Sequence, residues 1–142
     1  MPNEILVKSR ARITAQANGT ALTAAKDPNL DYTGDAPAVL NNTIAAVNCK
    51  GADSLQLELE VTTHAGGATT AEIWYSISED GTNYTYWKYS HTVGNTIASA
   101  ATGMFDAGIF VLSAQYTKLA VVARAVAFNA NLLATPKLYE AQ

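Results

Sequence analysis

Leu55, Leu57, Leu59 and Val61 alternate without a break with Gln56, Glu58, Glu60 and Thr62. A period of two puts the apolar side chains on one side of an extended chain and the polar ones on the other, which a helix cannot do. The run reads as a strand with one dry face and one wet face. A second alternation at 71–78 places Ile73, Tyr75 and Ile77 on one face and Glu72, Trp74 and Ser76 on the other. It ends in a Glu-Asp-Gly-Thr-Asn step at 79–83, whose Asp-Gly pair supplies the positive φ that a tight reversal needs. Residues 84–89, Tyr-Thr-Tyr-Trp-Lys-Tyr, read as the return strand.

The flanking sequence extends the same grammar. Residues 5–17 predict a long N-terminal strand, with Ile5, Val7, Ala11, Ile13 and Ala15 on one face and Lys8, Arg10, Arg12 and Thr14 on the other. Its row of three cations fits either a contact stripe for an acidic partner or an edge strand guarded by charge. Residues 18–20 read as a turn, 21–25 as a short strand, 26–37 as a loop, and 38–49 as an apolar run interrupted by Asn41 and Asn42. Residues 90–103 are small, polar and patternless, as a surface connection would be. Phe105, Ala107, Ile109 and Val111 then share one face and Met104, Phe110 and Leu112 the other, so both faces are expected to be covered. In the run at 116–128, Leu119, Val121, Ala123, Ala125 and Ala127 are expected inward, and Lys118, Val122, Arg124 and Val126 outward. Residues 129–131 read as a turn, and 132–139 as a last strand whose Pro136 suits only an edge or a bulge. Eight to ten short strands without a helical period predict an all-β chain, an antiparallel two-sheet β-sandwich. It is expected to fill residues 1–142 as a single domain, with 1–17 as its N-terminal arm.

Charge narrows the partner classes. A net charge of −3 leaves no basic footprint for nucleic acid and no polybasic patch for a membrane surface. No uncharged stretch is both long and apolar enough to cross a bilayer, and the first residues lack the apolar core of a secretion signal. Ala and Thr supply 42 of the 142 residues, and between Tyr89 and Pro136 the charged residues are only Asp106, Lys118 and Arg124. Soluble domains average about a quarter charged residues, so this half is expected to lie partly against other protein.

Few residues are arranged for chemistry. Cys49 is the single cysteine, which rules out an internal disulfide and reads as a small buried hydrophobe. Asp27, Asp31 and Asp35 invite a calcium reading, yet their four-residue spacing misses the D-x-D-x-D-G loop, and no metal or cofactor is expected. His64 and His91 lack neighbouring ligands in sequence and read as solvated loop histidines. No nucleophile elbow or phosphate loop occurs, and the carboxylate pairs Glu58 with Glu60 and Glu79 with Asp80 sit where strand faces and turns ordinarily carry acids. A non-enzymatic role is expected. The aromatic cluster of Trp74, Tyr75, Tyr84, Tyr86, Trp87 and Tyr89 is the best candidate surface: Tyr75, with partners among Tyr84, Tyr86 and Ile77, should fill the core, leaving Trp74 and Trp87 outward as a sugar platform or interface anchor.

The run EIWYSISEDGTNY at 72–84, followed by AQYTKLAVV at 114–122, resembles a pattern of jelly-roll sandwiches. In these an S-x-D-G-x-x-[WY] hairpin precedes a Y-x-[RK]-[LIV] strand. Discoidin-like carbohydrate-binding modules and small virion proteins of tailed bacteriophages both show it. The low charge, the missing cysteine pair and the N-terminal arm make the chain more similar to a capsid decoration (cement) protein. That resemblance implies a structural protein made in the bacterial cytoplasm and carried on the virion capsid surface. It also implies a homo-oligomer, commonly a trimer, bound to the major capsid protein. The resemblance assigns no contact residues; from the chain's own pattern, contact is expected through 2–12, 26–37 and 90–103, with Lys8, Arg10, Arg12, Trp74, Trp87 and His91 as candidate contact residues. The alternative it implies is a carbohydrate-binding or receptor-binding module using exposed Trp and Tyr.

Overall fold

The computed structural model describes residues 5–20, 44–64, 66–94, 97–98, 101–123 and 128–141. Among these, nine strands and no helix form: β1 (Ile5–Ser9), β2 (Ile13–Thr20), β3 (Val47–Asn48), β4 (Ser54–Thr63), β5 (Ala71–Ser78), β6 (Lys88–Thr92), β7 (Gly103–Val111), β8 (Tyr116–Ala123) and β9 (Asn129–Ala141). One sheet runs β1-β9-β4-β7 with β2 also on β9, and the other runs β3-β8-β5-β6. Every ladder is antiparallel. β1 and β2 lie end to end on the flank of β9 opposite β4. Counted as one interrupted strand, they leave eight strands in two four-stranded sheets, wound in jelly-roll order.

The alternating leucines close the sandwich. Leu55, Leu57, Leu59 and Val61 of β4 meet Ile73 of β5, Leu119 and Val121 of β8 and Leu132 of β9 in one continuous core. Leu55, Leu57, Leu59, Ile73, Leu119 and Leu132 are fully buried, each stabilising the fold by about 1.5–3 kcal/mol.

The departures from expectation have local causes. The N-terminal strand breaks at 10–12, and Pro136 of β9 faces that break: β2 pairs β9 up to Ala134 and β1 resumes at Lys137. The proline therefore sits in the middle of a sheet, where its missing N–H meets no ladder, and its carbonyl accepts from the Arg10 N–H at 3.0 Å. Residues 18–20 are not a turn but the end of β2, paired to 129 and 130, so β9 also begins earlier than expected. Ile13 remains 36% exposed although it shares a strand with buried Ala15. The return strand after the Asp-Gly turn starts at Lys88 instead of Tyr84. Within 90–103, Ser90, His91 and Thr92 belong to β6, and Val93 and Ile97 are buried, so this stretch is more than a surface connection. The short strand at 21–25, the aspartate loop at 26–37, and Ala125, Ala127, Arg124 and Val126 lie outside the described residues.

Both faces of β7 are not covered. A bulge between Gln56 and Glu58 in the β4–β7 register, with Gly108 at φ 85°, shifts the alternation by one residue. Phe110 thereby enters the core beside Ala107, while Ile109 is 59% and Val111 75% exposed.

A buried polar side chain ties the two sheets through the core. Gln16 of β2 is buried, and its Oε1 accepts from the Val121 N–H of β8 at 3.2 Å. Its Nε2 has no partner, so Gln16→Leu both strands a backbone donor and removes an unpaired one. A net loss of about 1 kcal/mol in urea denaturation is expected, at the low end for a buried hydrogen bond.

Candidate functional site

The edges β6 and β7 of the two sheets flank one open side of the sandwich. There a cleft of about 370 Å³ is lined by Tyr75, Tyr89, Ser90, His91, Phe110 and Ser113, with Ile109 and Val111 at its rim. Tyr75, the inward residue near the end of the dry face of β5, leans on Phe110 with ring centroids 4.9 Å apart. Phe110 reaches this position only because of the Gly108 bulge.

His91 is set by a second irregularity. The β5–β6 register shifts between Ile73 and Trp74, so His91 pairs with inward-facing Ile73 and turns toward the gap between sheets. Its Nε2 donates to the Ala107 carbonyl at 2.6 Å, joining the edge of one sheet to the edge of the other. In the neutral ring that leaves Nδ1 as the acceptor for the Ser90 hydroxyl at 2.8 Å. A Cβ at Gly108 would lie 2.9 Å from His91 Nε2, so the ring fits only against a residue with no side chain. No lining residue carries a carboxylate, an ammonium or a guanidinium. The imidazole is anchored on a carbonyl, and the cleft suits an uncharged group with apolar and hydroxyl contacts.

The outer face of the β3-β8-β5-β6 sheet carries the other aromatics. Trp87 is only 2% exposed, packed on Ala120 and Val122 with Ile44 and Trp74 beside it. The expected outward Trp74/Trp87 platform is thus corrected: both lie outside the main core, but Trp87 is covered. Trp74 is half-buried, its Nε1 donating to Glu72 at 3.1 Å and its ring meeting Tyr89 edge-on at 6.0 Å. The residues before β6 roll over this face because Thr85 holds β5 at Ile77, its N–H donating to the Ile77 carbonyl and its hydroxyl accepting from the Ile77 N–H. Tyr84 and Tyr86 do not join Tyr75 in the core: Lys118 sits 4.4 Å from the Tyr84 ring centre, and Tyr86 is 81% exposed. Of this aromatic cluster, the exposed rings are therefore Tyr86 and Tyr89.

The three cations diverge. Lys8, Arg10 and Arg12 are exposed, but Arg10 donates to the Asn48 carbonyl at 3.3 Å and to the Lys50 carbonyl, pinning the turn after β3. Arg12 pairs with Glu58 of β4 at 3.5 Å on the outer face of its own sheet. No single stripe results. Cys49 is buried, its Sγ 3.4 Å from the Val47 carbonyl, and burial pushes its thiol pKa up against smaller opposing effects of Thr117 and Arg10. His64 is not solvated: it is 6% exposed, with Nε2 3.0 Å from the Gly67 carbonyl and its ring 5.8 Å from Phe128. Among the described residues no three His, Cys, Asp or Glu side chains converge to hold a metal ion.

The Asp-Gly turn is as expected, with Gly81 at φ 76°. Asp80 accepts from the backbone of Asn83 and of Thr82, both at 2.8 Å, and from the Asn83 amide and the Ser78 hydroxyl. These donors, the Asn83 backbone first, hold its carboxyl well below the usual range. A depressed folded pKa means the contribution is complete above the ordinary aspartate value of about 3.9 and is lost as pH falls through the folded one. A carboxyl titration by NMR is expected to place the Asp80 midpoint below that of an unstructured aspartate, and Asp80→Asn should remove the acid sensitivity of this turn.

No family model, curated protein or solved structure matches the chain.

Proposed function

We propose that the chain is a non-enzymatic structural protein of a tailed-phage virion, a decoration or cement protein that bridges shell subunits on the capsid surface. The observation that carries this reading is the outer row of β7, where Met104, Ile109 and Val111 are 47%, 59% and 75% exposed on the edge of a sheet. Large apolar side chains clustered at a sheet edge mark surfaces that bind protein. The scarcity of charge beyond Tyr89 supports the same reading, because a surface meant to be covered carries few charges. The function is mass action: a protein that binds only the assembled, expanded shell stabilises that state over its precursors. The test is cosedimentation with shells built from the capsid protein of its own phage. Saturable binding to expanded shells, weaker on unexpanded ones and accompanied by a higher shell melting temperature, is expected. Absence of binding to either form would overturn the proposal.

A second reading, a carbohydrate-binding module, draws on exposed Tyr86, on exposed Tyr89 beside Trp74, and on the uncharged cleft. Saturable binding of neutral glycans, lost in Tyr89→Ala and without any affinity for shells, would select it.

A further inference from the structure

A sandwich of two open sheets has four edges, and among the described residues three of them are protected. The β1/β2 edge carries exposed Lys8, Arg10 and Arg12. The β3 edge is two residues long. The β6 edge opens with exposed Lys88, is bulged at Ser90 and carries no large exposed aliphatic side chain. Charge, shortness and bulges are the usual devices against unwanted strand pairing. The β7 edge has a bulge at Gly108, and His91 occupies the Ala107 carbonyl. Beyond that point, the last residues of β7, Ile109 to Val111, and the following Leu112 and Ser113 carry no charge and no proline, and the outward residues Ile109 and Val111 are exposed.

We infer that this unguarded end of β7 pairs with the same segment of a second copy, antiparallel about a two-fold axis at Phe110. This rests on the reading of the chain as an assembling structural protein and specifies its self-contact. A two-fold interface must be self-complementary, residue i meeting j and j meeting i. With the axis at Phe110, Ile109 of each copy faces Val111 of the other, so the four exposed apolar side chains cover one another. Asp106, the only charged residue of β7, is four positions from the axis and lies far from its counterpart. The pairing joins two β1-β9-β4-β7 sheets into one continuous sheet and brings the two clefts, each rimmed by Ile109 and Val111, face to face across the axis.

Sedimentation equilibrium of the wild-type chain tests this. A species of twice 15.0 kDa is expected. Ile109→Lys should raise its dissociation constant on the order of 100-fold by placing an unpaired cation in the contact, while Tyr86→Lys, an exposed site off this edge, should leave it unchanged. The register is read separately by cross-linking. Facing Cα atoms in an antiparallel pair lie about 4.5–5.5 Å apart, within disulfide range, and the one native cysteine is buried. The Ile109→Cys/Val111→Cys variant should oxidise to a covalent dimer, and Tyr86→Cys should not. A monomer at all concentrations, a trimer such as the phage resemblance implies, or association indifferent to Ile109→Lys would overturn the inference. Shell cosedimentation of the same variants is scored independently, so a monomer that still binds shells overturns the self-pairing alone.

Discussion

Truncating Trp87 to alanine is expected to cost about 3 kcal/mol or more, the range for removing a buried indole, whereas Tyr86→Ala next to it should change stability by no more than about 0.5 kcal/mol. The two residues are adjacent in sequence and opposite in environment: Trp87 is 2% exposed and Tyr86 81%. Trp87 covers Ala120 and Val122 on the outer face of β8, a patch that would otherwise meet water. Urea denaturation of the two variants decides between a packing role and a platform role. A platform tryptophan would unfold at nearly the wild-type midpoint, and such a result would refute the assignment of Trp87 to a second, smaller core. The loss is a sizeable part of the total stability of a domain this size, about 5–15 kcal/mol.

The second large effect is expected at Gly108. Valine there must adopt a φ of 85°, which a β-branched residue resists, at a cost on the order of 1–3 kcal/mol. Its Cβ would also stand 2.9 Å from His91 Nε2, forcing the ring away from the Ala107 carbonyl and losing about 1 kcal/mol more. Gly103 supplies the control, with φ 115° and nothing within 4 Å of an added Cβ. Gly103→Val therefore reports backbone strain alone. A larger thermal unfolding loss is expected for Gly108→Val than for Gly103→Val, and a loss at Gly108 no greater than at Gly103 would count against the His91 contact.

Much of the fold was legible because β4, β5 and β8 obey strict alternation: Leu55 to Val61, Ile73 with Tyr75, and Leu119 with Val121 all point where a period of two puts them. The Asp-Gly turn was legible for the same reason, a local rule with a local cause. What sequence could not supply was register. The bulge at Gly108 reverses Ile109, Phe110 and Val111 relative to simple alternation, and the only signal for it was a glycine inside an apolar run. Pro136 misled in the other direction, since its tolerance depends on a gap in a neighbouring strand more than a hundred residues away. The cleft was invisible as a unit because its walls come from β5, β6 and β7, brought together by bulges instead of by spacing. His91 was singled out from sequence, but its role as a link between sheet edges was not foreseeable without Ala107 beside it.

β9 lies between β1/β2 and β4, yet it follows all of them in the chain. During vectorial synthesis β4 can already pair with β7, but among the described strands β1 and β2 have none of their own sheet to pair with until residues 129–141 leave the ribosome. The N-terminal strands must therefore wait, unladdered, for a partner more than a hundred residues downstream. Such late closure makes for slow folding, and it hands a chaperone its natural window of engagement.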